Sequence, residues 1–359
     1  MHNINLSFNK TNRALGRLLV VVGLLFHISC RESTIVTKVA FGSCAHQDEP
    51  QPILSLAADY KPDLFIYLGD NIYGDTDNMD TLKAKYELLG SKPEFKQLTS
   101  NTRTLAIWDD HDFGRNDAGK YYPYKTASKE IFLNFFKEPA ASDRRKHEGI
   151  YHAEYLQYGD KTLQVILLDN RTFRSDLLPY DSTAKLPREK YFYRPDYQPQ
   201  LSADSSFLGE AQWEWLEGEL SKKADLRLIA SGSQFGIEYN GYEAWANFPQ
   251  EQRRMLELIK KTRAEGILFL SGDVHYAEVS KLDEPGLYPL YDVTSSGITS
   301  TWDFPTANKN RIEGPVMENH FGLLTIQWKK DPVILIEIID KNNNSRIEYE
   351  VNASELQFN

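Results

Sequence analysis

Hydrophobic positions fall into short dense runs separated by longer mixed segments. Thr37–Gly42, Leu64–Leu68, Thr104–Trp108, Thr162–Leu168, Arg227–Ser231 and Gly266–Leu270 each have the length and type of a buried strand. Between them, Pro52–Tyr60, Met79–Leu89, Ser128–Phe136, Gly209–Leu220 and Pro249–Lys261 read as helices. The alternation predicts β-α-β units, hence parallel strands whose carboxyl ends lie along one edge. From Tyr288 onward the pattern changes. Tyr288–Ser295, Gly322–Trp328, Pro332–Ile338 and Ser345–Val351 alternate or run apolar with no helix between them, which predicts later strands. No composition shift forces a second domain, so residues 31–359 read as a single α/β domain. Asp176–Phe207 has no period and is rich in Tyr and Pro. A loop that long inside one domain points to a lid or wall.

The predicted strands run into chemistry. The first leads into Ser43-Cys44-Ala45-His46, and the second stops at Gly69 and continues with Asp70, Asn71, Tyr73 and Asp75. The third is followed by Asp109, Asp110, His111 and Asp112, which would repel one another without cations or a protonated partner, and then by Asn116. The fourth is followed by Asp169 to Arg174, and Gly266–Leu270 by the alternating pair Asp273 and His275. In open α/β sheets ligands bind just beyond the carboxyl ends of strands. The opening β-α-β unit brings Cys44 and Asp70 to the same edge, and the oxygen donors around Asp70 predict a metal site centred on it. Arg171 and Arg174 suit an anionic substrate, since a guanidinium fork holds phosphate oxygens in pairs. A structural salt bridge is the plainer use of either.

Charge narrows the partners. A formal net charge of −10 over 359 residues argues against nucleic acid, because phosphate binding needs a positive face. At the amino end, Lys10, Arg13 and Arg17 precede an apolar stretch, Leu18–Ile28, that ends at Ser29-Cys30. Residues 1–30 therefore read as a secretory signal of the lipoprotein type. The expectation is export to the periplasm or cell surface, with membrane anchoring through a lipidated Cys30. His27 departs from the aliphatic residue such cleavage sites prefer. Cys44 is then a lone thiol without a disulfide partner.

Six motifs in order carry a family resemblance: Phe-Gly-Ser-Cys44, Leu-Gly-Asp70-Asn-Ile-Tyr73, Trp-Asp-Asp-His111-Asp, Leu-Leu-Asp169-Asn-Arg171, Leu-Gly-Glu-Ala-Gln-Trp213-Glu-Trp-Leu216 and Ser-Gly-Asp273-Val-His275. With them the chain resembles the calcineurin-like metallophosphoesterases and, within these, the alkaline phosphatase D (PhoD) family, over roughly Val39–Glu278. The resemblance implies a four-layer α/β/β/α sandwich with a metal site at the carboxyl ends of its strands. It implies Cys44 as a thiolate ligand where the superfamily usually has Asp-x-His, joined by Asp70 and Tyr73, by Asp110 or Asn116, and by Asp273 and His275. The implied metals are Fe(III) with Ca(II), other divalent ions being the alternative. A thiolate and a phenolate suit ferric iron, and Asp and Asn oxygens suit calcium. Asp70 would bridge, His111 would donate a proton to the leaving group with Asp112 orienting it, and Asn71 and Arg171 would bind substrate. The implied activity is hydrolysis of phosphodiesters or phosphomonoesters by metal-activated water. The substrate would be a small-molecule or lipid phosphate ester. The competing readings are a phospholipase C/D-like esterase of the same fold and a surface-binding lipoprotein that has lost catalysis.

Overall fold

The computed structural model describes residues 34–181 and 193–359. The signal and lipidation expectations for residues 1–30 lie outside the described residues. Thr34–Asn359 forms one unit, organised around two sheets.

The first sheet grows from three parallel strands, β1 (Ile35–Gly42), β2 (Leu64–Leu68) and β3 (Arg103–Ile107). Antiparallel to β1 comes β13 (His320–Trp328), followed outward by β14 (Val333–Asp340) and β15 (Ser345–Asn352). Every residue of β2 is buried. That is why its sequence is a continuous apolar run: a parallel strand between two layers has no wet face. Its Tyr67 packs on Phe95 of α3 (Pro93–Asn101) and on Phe136 at the end of α5 (Lys125–Phe135). Helix α1 (Pro52–Asp59) packs beside α3, and α2 (Met79–Ser91) beside α5.

The second sheet has the order β12 (Arg311–Val316), β10 (Ala277–Leu282), β11 (Leu290–Ser295), β9 (Ile267–Ser271), β8 (Leu226–Ser231), β5 (Lys161–Leu167) and β4 (His152–Tyr158). Strands β5, β8, β9 and β11 are parallel. Helix α6 (Glu210–Leu220) lies on β5, where Gln164 Nε2 donates to the Glu219 carbonyl at 3.1 Å, and it is joined to α7 (Pro249–Thr262) by Trp213 Nε1 donating to Glu251 at 3.0 Å. The sheets approach through β2 and β8, β11 and β13, and β12 and β15. The result is helix, sheet, sheet, helix, with both sets of parallel strands ending beside the same loops.

The elements missing from the sequence reading have physical reasons. Strands β4 and β12 are edge strands with half-exposed or exposed residues, so neither forms an apolar run. Strand β10 follows so closely on Asp273 and His275 that their chemistry hides it. Helix α3 starts at Pro93, a favoured first-turn position, and carries a single buried residue, Leu98. Of the long Tyr- and Pro-rich loop, 182–192 lie outside the described residues; the rest includes the short pair β6 (Leu178–Pro179) and β7 (Tyr197–Gln198) and Tyr193, whose ring stacks on Phe304 at 5.5 Å.

Candidate metal centre

Loops at the carboxyl ends of the parallel strands converge. Cys44, Asp70, Asp273 and His275 all have positive φ, at 61°, 48°, 74° and 57°. Such conformations cost on the order of 1–3 kcal/mol for non-glycine residues. Here they turn the chain sharply at the end of a strand and aim each side chain inward. The turns are tied together by main-chain bonds, Ala45 N–H to the Asp70 carbonyl at 2.8 Å and Thr299 N–H to the Cys44 carbonyl at 3.0 Å.

Three groups of donor atoms, each within 4.8 Å of one another, result: Cys44, Asp70 and His275; Asp70, Asp110 and His111; and Asp70, Asp109, Asp110 and Asp273. Asp70 belongs to all three, the position a bridging ligand would take. Tyr73 joins the first group, its Oη 3.1 Å from His275 Nε2 and 3.1 Å from Ser300 Oγ. The Cys44 sulfur lies 3.4 Å from Asp70 Oδ2.

The centre fits cations. Asp70 Oδ1 and Asp109 Oδ2 are buried without a hydrogen-bond partner among the described residues. Burial, with Asp110 and Asp109 beside it, pushes Asp70 well above the usual carboxylate range. Burial and the nearby Asp109 do the same to Asp273, and burial and Asp70 push the Cys44 thiol up. Packing so many anions out of water is strongly unfavourable unless positive charge joins them. Burial and the neighbouring His111 bring His275 down to about 4, so it is a neutral imidazole, the form that ligates metals. The Cys44 sulfur, His275 imidazole and Tyr73 phenol gather with Asp70 as a mixed sulfur, nitrogen and oxygen donor set, and Asp109, Asp110 and Asp273 gather with it as a hard, all-carboxylate one.

Three expectations are corrected. Asp112 does not touch His111. Its carboxylate accepts Asp109 N–H at 2.5 Å and Asn71 N–H at 3.1 Å, closing the single turn α4 (Asp110–Phe113) onto the β2 loop. The partner of His111 is Asp75, with Nδ1 2.8 Å from Oδ1. Burial opposes charge on His111, but the Asp75 contact and the nearby Asp110 hold its pKa up to about 9. Asn71 is fully buried, its amide donating to the Ile107 carbonyl at 2.9 Å and to Asp112, so it is not offered to a substrate.

Arg171 is likewise 0% exposed. Its guanidinium grips Asp109, reaches Glu243 at 2.9 Å and lies 3.6 Å from Asp110. The fork expected to hold phosphate is spent on carboxylates. Of the alternatives Asp110 and Asn116, Asp110 enters two of the groups. Asn116 is exposed, its amide bonded to Asp117 at 2.5 Å and its main-chain N–H to Asp75 at 3.1 Å.

Two further residues shape the centre. Asp109 was visible in the polar burst. Its carboxylate fits because residue 232 is glycine: a Cβ there would come within 2.6 Å of Asp109 Oδ1. Glu243, which also holds Arg174 at 3.3 Å, sits in a loop with no motif. Aromatic rings frame the centre. His46 stacks on Tyr73 at 4.9 Å, Tyr73 meets His111 at 4.3 Å, and Trp302 meets His275 edge-on at 5.4 Å.

Two facing sheets with clustered carboxylates, imidazoles and a thiol at their shared edge define a metallophosphoesterase fold of the calcineurin-like type. Residues 39–316 match the profile of the PhoD-like phosphatases, and the chain belongs to that family. It is 21% identical over 288 residues to alkaline phosphatase D of Bacillus subtilis (strain 168), covering 68% of this chain and 46% of that protein. The chain thus spans about half the length of this curated relative. Among solved structures, PhoD superposes with a TM-score of 0.64 at 16% identity, over 88% of this chain and 68% of the other. A dimetal phosphatase from Danio rerio gives a TM-score of 0.52 at 11% identity, over 90% and 99%.

Proposed function

We propose that the protein is a metal-dependent phosphoric ester hydrolase acting on phosphodiesters or phosphomonoesters. The observation that carries this reading is the sharing of Asp70 among three donor groups while one of its buried oxygens has no hydrogen-bond partner among the described residues. The donor sets support Fe(III) beside Cys44, Tyr73 and His275 and Ca(II) among Asp109, Asp110 and Asp273. When bound, such ions neutralise phosphate charge and make water nucleophilic at neutral pH. The chain's own part is to hold these donors and to present His111 as a cation. His111, oriented by Asp75, donates its proton to the departing alkoxide. A panel of a soluble diester, a monoester and a phospholipid, run with elemental analysis, tests the reading. Metal-free protein, or none of the three hydrolysed, overturns it. Hydrolysis of the phospholipid alone would favour a lipid-directed esterase.

General acid catalysis contributes on the order of 10²–10⁴-fold. His111→Ala is therefore expected to slow an alkyl diester by about that factor and a nitrophenyl ester by clearly less, since nitrophenolate leaves without protonation. The donor is the protonated ring, so alkyl-diester turnover falls as pH rises through the pKa of His111, which the Asp75 contact holds up. Equal losses on both substrates would move His111 from proton donor to phosphate positioning.

If Tyr73 ligates ferric iron as phenolate, the purified protein is coloured and Tyr73→Phe removes or shifts the visible band. A colourless, fully active enzyme refutes the ferric assignment while leaving the hydrolase reading in place. We propose also that the chain is exported and anchored by lipid on Cys30, supported by the apolar stretch Leu18–Ile28 before Ser29-Cys30. Fatty-acid labelling abolished in Cys30→Ala is the expected result, and labelling that persists refutes it.

A further inference from the structure

Ser296 follows β11 directly, and its hydroxyl lies between two candidate ligands. Its Oγ accepts the main-chain N–H of His275 at 2.9 Å and sits 3.0 Å from Cys44 Sγ. With one lone pair taken by His275, the hydroxyl hydrogen is free for the sulfur, and a thiolate can only accept. Ser43 Oγ also lies near that sulfur, at 3.5 Å.

Ser296 is itself held. Its main-chain N–H donates to His320 Nε2 at 3.1 Å, and His320 Nδ1 lies 2.7 Å from the Glu318 carbonyl. The carbonyl can only accept, so Nδ1 carries the proton and Nε2 is the acceptor. His320 is fully buried, and burial brings it down to about 4, so the ring stays neutral. Its main-chain N–H donates to the Gly297 carbonyl at 3.0 Å. A Cβ on residue 297 would overlap the His320 ring, so only glycine lets the β11 loop settle on it. The hydrolytic reading uses neither Ser296 nor His320, and His320 lies beyond the residues that match the family profile.

We propose that Ser296, locked by His320, is a positioning residue that fixes the Cys44 sulfur and the His275 main chain relative to Asp70. The proposal rests on Cys44 being a metal ligand, as read above. A hydrogen bond from Ser296 orients the thiolate and stabilises its charge, so the coordination of a ligand on the β1 loop is set from strand β13.

The test compares metal stoichiometry and the rate of metal loss to a chelator in the purified holoprotein, with thermal unfolding of the chelated protein recorded in parallel. Ser296→Ala removes only the hydroxyl and is expected to weaken metal retention about 10- to 100-fold, the range for outer ligand partners, while the chelated protein, short of one hydrogen bond to the His275 N–H, stays folded. His320→Leu, which leaves the Ser296 N–H without its acceptor, should do the same to retention. His320→Gln should restore it, because its amide supplies both an acceptor and a donor. Wild-type retention in Ser296→Ala overturns the relay. So does retention lost only together with the fold, with no rescue by His320→Gln. Wild-type protein that carries no metal overturns the hydrolase reading itself, a different outcome.

Discussion

Asp70→Asn is expected to leave the protein without stoichiometric metal and to cut phosphoester turnover by more than the roughly 10- to 100-fold typical of losing an outer ligand partner. The reason is placement. Cys44, His111 and Asp273 each belong to one donor group, whereas Asp70 belongs to three, so its loss weakens every position at once. The same change should not harm the metal-free fold. In that state the Asp70 carboxylate is buried against Asp110, Asp109, Asp112 and Asp273, and a neutral amide of equal size relieves the repulsion. Elemental analysis, turnover, and thermal unfolding with and without chelator together check this. The signature is a variant inert toward substrate whose chelated form melts no lower than chelated wild type. Wild-type metal content in the variant would remove Asp70 from the centre.

The difference between what was legible and what was not follows from range. The strand Leu64–Leu68 could be read to the residue because burial on both faces makes it uniformly apolar and Gly69 ends it. The meeting of the candidate donors Cys44, Asp70, Asp273 and His275 could be read because they follow such strands, and parallel strands align their ends. Partners that depend on side-chain direction could not. Asp112 adjoins His111 in sequence, but one turn of helix sends its carboxylate to Asn71 and leaves His111 facing Asp75. Glu243 reaches Arg171 from a loop 72 residues away, and no spacing rule foretells that meeting. His320 lay outside every motif and declares itself only through its contact with Ser296.

Arg171 separates a structural from a substrate-binding role most sharply. Its fully buried guanidinium holds Asp109 and Glu243, with Asp110 close by. Charges so placed are costly alone, and removing one partner of a buried ionic network typically costs about 3–5 kcal/mol, because the remaining charges are left uncompensated. Arg171→Met is therefore expected to destabilise the protein by about that amount. The loss should appear in chelated and metal-loaded protein alike, with the metal-loaded form retaining more, since cations also neutralise Asp109 and Asp110. Added phosphate should not rescue it. Asp109→Asn combined with Arg171→Met should recover part of the loss, because the double variant removes the charge that the single one strands. Denaturant unfolding of Arg171→Met and of the double variant, beside wild type, measures this directly. If Arg171→Met unfolds like wild type but needs far more substrate for half-maximal turnover, the guanidinium reaches the phosphate after all and the buried network is not its role.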